Sequence, residues 1–139
     1  MRTNKKGFTL IELLAVIVIL AIIALITVPV VINIINNAKK GAAEDSTYGA
    51  MEAAKLFWVQ NNVENTEATV TFTYDANQSK WLFGTEELLI SGTKPTGESE
   101  AFIKVENGKA VVEGVKFGAF TCHTGTAQDS AASEKVTCE

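Results

Sequence analysis

The hydrophobic pattern divides the chain near residue 36. From Leu13 to Ile35, 23 residues, only Thr27, Pro29 and Asn33 are not plainly apolar. At a helical rise of about 1.5 Å per residue that run is about 35 Å long, against about 30 Å for the hydrocarbon core of a bilayer. The pattern therefore predicts a helix that crosses a membrane with some tilt. It exceeds the apolar core of an ordinary secretory signal, about 7–15 residues, and no small-residue A-x-A site follows it. Pro29 lacks an N–H and crowds the carbonyl of Leu25, so a kink or weak point is expected there.

Asn36-Asn37-Ala38-Lys39-Lys40 marks the far membrane surface. Helical periodicity continues beyond it to about Asn62. Tyr48, Met51, Ala54, Phe57 and Trp58 share a broad apolar face, with Thr47 and Ala50 in the gaps and Asp45, Glu52 and Lys55 largely elsewhere. That face is expected to pack on the domain's own sheet rather than to form a ligand groove. Gly41 and Gly49 each weaken a helix by about 1 kcal/mol relative to alanine, so a break at Gly41 is an alternative. Unbroken, Phe8 to Asn62 would make one helix about 80 Å long.

The pattern then changes to a period of two. After a polar connection, Asn61–Thr66, the segment Ala68–Tyr74 alternates apolar residues with threonine, placing Val70, Phe72 and Tyr74 on one face of a strand. Asp75–Ser79 reads as a loop, and Trp81-Leu82-Phe83 as a short apolar piece without a clear assignment. Thr85 followed by Glu86-Glu87-Leu88-Leu89-Ile90, with Gly92 beyond, reads as a capped short helix. Thr93–Gly97 is a turn-rich connection. Ala101, Ile103 and Val105 alternate with Phe102, Lys104 and Glu106 up to Asn107-Gly108, a type I′ hairpin signal. Lys109–Phe117 is expected to return as the partner strand, bent or bulged at Gly114. His123–Thr137 is rich in Thr, Ser, Ala, Gly and acid. The fold class is thus α+β: a long N-terminal α-helix, half membrane-spanning and half amphipathic, packed on a small antiparallel β-sheet.

One acid interrupts the greasy start. A carboxylate at the edge of a spanning helix costs free energy unless it is paired or reaches water, and Glu12 could simply snorkel to the cytoplasmic interface. It sits, however, in Lys5-Lys6-Gly7-Phe8-Thr9-Leu10-Ile11-Glu12-Leu13. This stretch, joined to the apolar run, resembles the class III leader and cleavage site of type IV prepilins. The likeness is close over about the first 35 residues and holds only in outline beyond. It implies a pilin fold, cleavage by a prepilin peptidase between Gly7 and Phe8, N-methylation of Phe8, and a role for Glu12 in filament assembly. A buried polar group fixes register among otherwise equivalent apolar helices, and the Phe8 amine of a neighbouring copy is the expected partner of Glu12. Many members of the family have a proline where Pro29 stands. In some assembled relatives the helix is unwound just before it, often with a glycine upstream. Here no glycine lies between Phe8 and Gly41, so a simple kink and local melting remain alternatives. Lys94-Pro95-Thr96-Gly97 before a strand also looks like the heads of Gram-positive major pilins.

The resemblance orders the chain as a leader over 1–7, a transmembrane or filament-core helix over 8–35, an amphipathic helix over 36–62, and a globular head over 63–139. It implies a homo-oligomer in the form of a helical filament, an assembly platform and ATPase supplied by other proteins, and residence in the cytoplasmic membrane before assembly at the cell surface. The sequence includes residues 1–7 and so reads as the precursor. Arg2, Lys5 and Lys6 should stay cytoplasmic.

Charge and cysteines refine this picture. The chain carries 12 basic and 16 acidic side chains, a net −4. Three of the basic ones lie in the leader, so the part from Phe8 onward has 9 against 16, or −7. That balance argues against a general nucleic-acid-binding surface. Cys122 and Cys138, an even pair in the exported part, suggest a disulfide enclosing 15 residues. It would pin the polar C-terminal segment to the sheet edge. The alternatives are two free thiols or, with Cys122, His123 and Cys138, three of the four ligands of a structural zinc. No cofactor and no metal is expected. There is no Walker loop, dinucleotide fingerprint or H-E-x-x-H, and the neighbours Cys122 and His123 are poorly placed as a nucleophile pair. An enzyme is therefore not expected. Two rivals stand beside the pilin. One is a pseudopilin of a type II secretion or competence system, whose C-terminal calcium site in some members finds only Asp129 here. The other is a membrane-tethered enzyme or binding module, with the Gly7–Phe8 bond uncut.

Overall fold

The structure, a computed structural model, describes residues 7–61, 69–90, 92–96, 101–125 and 134–139. Helix α1 (Leu10–Asn61) is followed by eight strands: β1 (Val70–Asp75), β2 (Lys80–Phe83), β3 (Glu86–Leu88), β4 (Phe102–Glu106), β5 (Lys109–Glu113), β6 (Val115–Phe117), β7 (Phe120–Thr124) and β8 (Val136–Cys138). The chain divides into two units, Met1–Ala38 and Lys39–Glu139, and the helix is assigned without interruption through Pro29 and Gly41. It is α+β, a long N-terminal helix packed on antiparallel sheet, consistent with a pilin fold.

In the second unit the apolar stripe of α1 faces the sheet. Ala43, Thr47, Ala50, Met51, Ala54 and Trp58 are buried, and Phe57 meets Phe72 edge-on at 5.1 Å between ring centroids. Every position of β1 that the alternation assigns inward, Val70, Phe72 and Tyr74, is buried. The hairpin turn has positive φ at both Asn107 (51°) and Gly108 (76°), and it closes β4 on β5 with Val105 opposite Ala110 and Ile103 opposite Val112. The strand order of this sheet is β3-β2-β1-β4-β5.

Two expectations are corrected. The capped helix over Thr85–Ile90 is instead strand β3. Gly84 has φ +63°, the left-handed conformation at the first turn position of a type II′ hairpin, and Gly84-Thr85 fold Glu86 back opposite Phe83. A five-residue helix closes little more than one turn against its nucleation cost, whereas as a strand Leu88 is buried opposite Trp81. The unassigned Trp81-Leu82-Phe83 is the partner strand β2. Secondly, there are two sheets. At Gly114 (φ +72°) the return strand leaves the first sheet, and Val115–Phe117 opens a second of order β6-β7-β8. A residue with a Cβ is strained at that φ. The polar stretch from His123 thus contributes the end of β7 and, at Val136–Cys138, strand β8. Arg2, Lys5 and Lys6 of the leader, Asn62–Ala68, Gly97 and Asp129 lie outside the described residues.

Side chains take over where the ladders end. The outward N–H groups of β5 donate to Glu134 Oε1 (from Ala110, 3.1 Å) and to Thr124 Oγ1 (from Val112, 2.9 Å). The buried Thr124 hydroxyl also donates to the Val112 carbonyl at 3.2 Å, so one threonine joins the two sheets much as a strand would. On β8 the N–H of Val136 donates to Tyr48 Oη at 2.9 Å and that of Cys138 reaches Glu44 Oε1 at 3.5 Å. Glu134 also pairs with Lys55 at 2.7 Å, and Lys55 with Glu52 at 3.0 Å. The Lys55 ammonium and the Ala110 N–H hold the Glu134 carboxyl below the usual carboxylate range. Burial alone would lower the Lys55 pKa, but the hydrogen bonds and charges of Glu134 and Glu52 outweigh it and leave it raised.

Candidate functional site: the start of the helix

Gly7, Phe8 and Thr9 precede the first turn of α1 in non-helical conformation, and Phe8 is 91% exposed. The segment ends where a cap begins. The Thr9 N–H and hydroxyl both donate to Glu12 Oε2, each at 2.8 Å, and the Thr9 hydroxyl accepts the Glu12 N–H at 3.3 Å. The first intrahelical bond, from Leu13 N–H to the Thr9 carbonyl at 3.3 Å, follows. This is the reciprocal S/T-x-x-E capping box, and it places a carboxylate where the helix dipole favours one. The structure therefore brings Glu12 together with Thr9, a residue that sequence analysis passed over. The signal was present, since a threonine three positions before a glutamate and ahead of an apolar run is such a box.

Beyond the cap every residue from Leu13 to Ile35 is exposed in the single chain. An isolated soluble protein rarely presents so large a contiguous apolar surface, and the surface must be covered by lipid or by other helices. Pro29 sits within this stretch and leaves the Leu25 carbonyl without its helical donor. Two residues earlier the Thr27 hydroxyl donates to the Ile23 carbonyl at 2.7 Å.

The remaining sequence candidates lie in the head. Cys122 and Cys138 stand opposite each other on β7 and β8 and are joined by a disulfide, with 4.0 Å between their Cα atoms. The flanking pair Thr121 and Glu139 exchanges both backbone bonds, at 2.8 and 3.0 Å. Cys122–Cys138 is thus a non-hydrogen-bonded pair, where facing side chains approach most closely. His123 alternates to the opposite face from the sulfur, and no group of three metal-ligating side chains occurs among the described residues. A cavity of about 100 Å³ between α1 and the larger sheet is lined in part by Ala50, Tyr74, Trp81, Ile103 and Val112. At its margin the Tyr74 hydroxyl already donates to the Pro95 carbonyl and Lys80 pairs with Glu87.

Comparison with known proteins adds one match. The prokaryotic N-terminal methylation motif matches residues 2–28, which span Gly7, Phe8, Thr9 and Glu12. No curated protein and no solved structure matches the chain. The motif suggests a structural subunit rather than an enzyme, implies processing by prepilin peptidase and, with the apolar helix, fits a membrane-anchored precursor. Residues 2–28 thus carry the class III prepilin leader of type IV pilins, a motif that indicates a type IV pilin or pseudopilin precursor.

Proposed function

We propose that this chain is a structural subunit of a type IV pilus. Prepilin peptidase cuts between Gly7 and Phe8, Phe8 is N-methylated, and the subunit polymerises through its N-terminal helix into a surface filament. Such filaments serve motility, adhesion, biofilm formation or DNA uptake. The observation that carries the reading is the methylation motif on a helix whose apolar first half, Leu13 to Ile35, stands uncovered. Lipid covers that surface before assembly and neighbouring helices cover it afterwards. Because lipid is as apolar as leucine, packing and polar pairing must supply the preference for the filament. Glu12 supplies the polar pair. Thr9 satisfies its oxygen by hydrogen bonding but does not neutralise it, whereas the amine of a neighbour's Phe8 does.

The same motif serves pseudopilins of secretion and competence systems, so that reading is retained as the second. N-terminal sequencing and mass measurement of the cellular protein, with immunogold labelling of intact cells, test the proposal. A chain starting at Phe8 with one added methyl group, found in long surface filaments, is expected. An uncut Gly7–Phe8 bond overturns both readings, and short structures confined to the envelope move the chain to the pseudopilins.

A further inference from the structure

Two lysines and two acids follow the apolar run one helical turn apart: Lys39 and Lys40, then Glu44 and Asp45, all on α1. Lys39 and Asp45 are exposed, and Lys40 and Glu44 are half-buried. Lys40 and Glu44 have the i, i+4 spacing of a helical ion pair, yet they make none. Among the described residues neither lysine nor Asp45 has an ion-pair partner. The order accounts for this, because lysine ahead of glutamate is the weaker direction for such a pair within one helix. Glu44 instead directs one oxygen to the Cys138 N–H at 3.5 Å and keeps the other.

We propose that these four residues form a contact between copies of the chain, the lysines of one against Glu44 and Asp45 of the next. The inference rests on the filament reading above. In a helical assembly one axial shift applies to every atom of the subunit, whatever path the chain takes between two points. Bringing the Phe8 amine of one copy level with Glu12 of another requires a shift of four residues, about 6–8 Å because Phe8 stands ahead of the helix. The separations from Lys40 to Glu44 and from Lys39 to Asp45 are four and six residues, about 6–9 Å. One stagger therefore serves both ends of the apolar run. With no stagger, lysine opposes lysine and acid opposes acid. Lysines at a membrane surface snorkel to water and headgroups, contacts that are lost when the helix leaves the bilayer. The neighbour's carboxylates replace them. A single exposed pair contributes little, but this one recurs in every copy and selects among registers that apolar packing leaves equivalent.

The test expresses two full-length variants in the native host, Lys39→Glu/Lys40→Glu and Glu44→Lys/Asp45→Lys, alone and together. The first is acidic throughout this segment and the second basic. Each alone should lower the yield of sheared filaments about ten-fold through like-charge contacts repeated along the fibre, and co-expression should restore it. Mixing cannot repair a pair made within one chain. Full yield from either variant alone overturns the proposal, as does failure to recover when both accumulate in cleaved form. If either fails to accumulate, Lys40→Glu and Asp45→Lys are read by the same criteria and spare the Glu44 contact with β8. Absence of filaments from the unaltered chain overturns the filament reading, and this inference with it.

Discussion

Thr9 and Glu12 close on each other at the start of α1: two donors of the threonine meet one carboxylate oxygen at 2.8 Å, and the Thr9 hydroxyl accepts the Glu12 N–H. The pair that starts the helix also holds the carboxylate we propose for assembly. Thr9→Val keeps the shape and removes the hydroxyl. A lost cap of this kind costs about 1 kcal/mol, so amide exchange at Glu12 and Leu13 of the full chain in micelles should quicken about five-fold. Thr9→Ser should exchange like the original. Unchanged exchange in the valine variant would show that the hydroxyl does not hold the first turn.

Glu12→Leu removes the charge and leaves the apolar helix intact. Membrane insertion and cleavage at Gly7–Phe8 should proceed as before, while filament growth stops. Quantifying sheared filaments against cleaved protein in the membrane checks this. Normal filament yield takes Glu12 out of assembly.

Acid sensitivity of the head should follow Glu134. Its pKa is depressed by Lys55 and the Ala110 N–H, so its contribution is complete above the ordinary carboxylate pKa. That contribution is lost as the pH falls through the lower, folded-state value. Lys55, raised overall, contributes below the ordinary lysine pKa and loses that contribution as the pH rises through its elevated value. Around neutrality both are present and stability should be flat. Thermal midpoints of Glu134→Gln should fall less steeply on acidification than those of the unaltered chain. Parallel acid limbs would remove Glu134 from the linkage.

The disulfide closes a loop of 15 residues between Cys122 and Cys138. Chain-entropy reasoning assigns such a loop about 3 kcal/mol. Replacing both cysteines with serine should lower the thermal midpoint of the head by roughly 10–20 °C. Tyr48 and Glu44 still hold β8 from the helix, so Tyr48→Phe should cost more stability in the serine variant than in the oxidised protein. Equal losses in the two backgrounds would mean that the helix and the disulfide hold β8 independently.

Legibility differed from one region to the next. The run from Leu13 to Ile35, the alternation in Val70–Tyr74 and the turn at Asn107-Gly108 were plain because each is a local period or a local backbone demand. Thr85–Ile90 misled because acids after a threonine serve a helix start and a hairpin strand equally well. The choice lay with Trp81 across the sheet, a contact no local pattern contains. Thr9 stands outside the hydrophobic pattern because a cap lies ahead of the first periodic residue.

The order of residues by itself determined the long helix, its exposed apolar half and the hairpin at Asn107-Gly108, since each depends on groups within a few positions of one another. Only the tertiary structure decided that β5 and β6 separate into different sheets, that Thr124 joins them, and that Tyr48 and Glu44 receive β8 from 88 and 94 residues away. Those contacts satisfy backbone groups left over when the ladders end. Which side chain reaches them is settled by packing in three dimensions, not by periodicity along the chain.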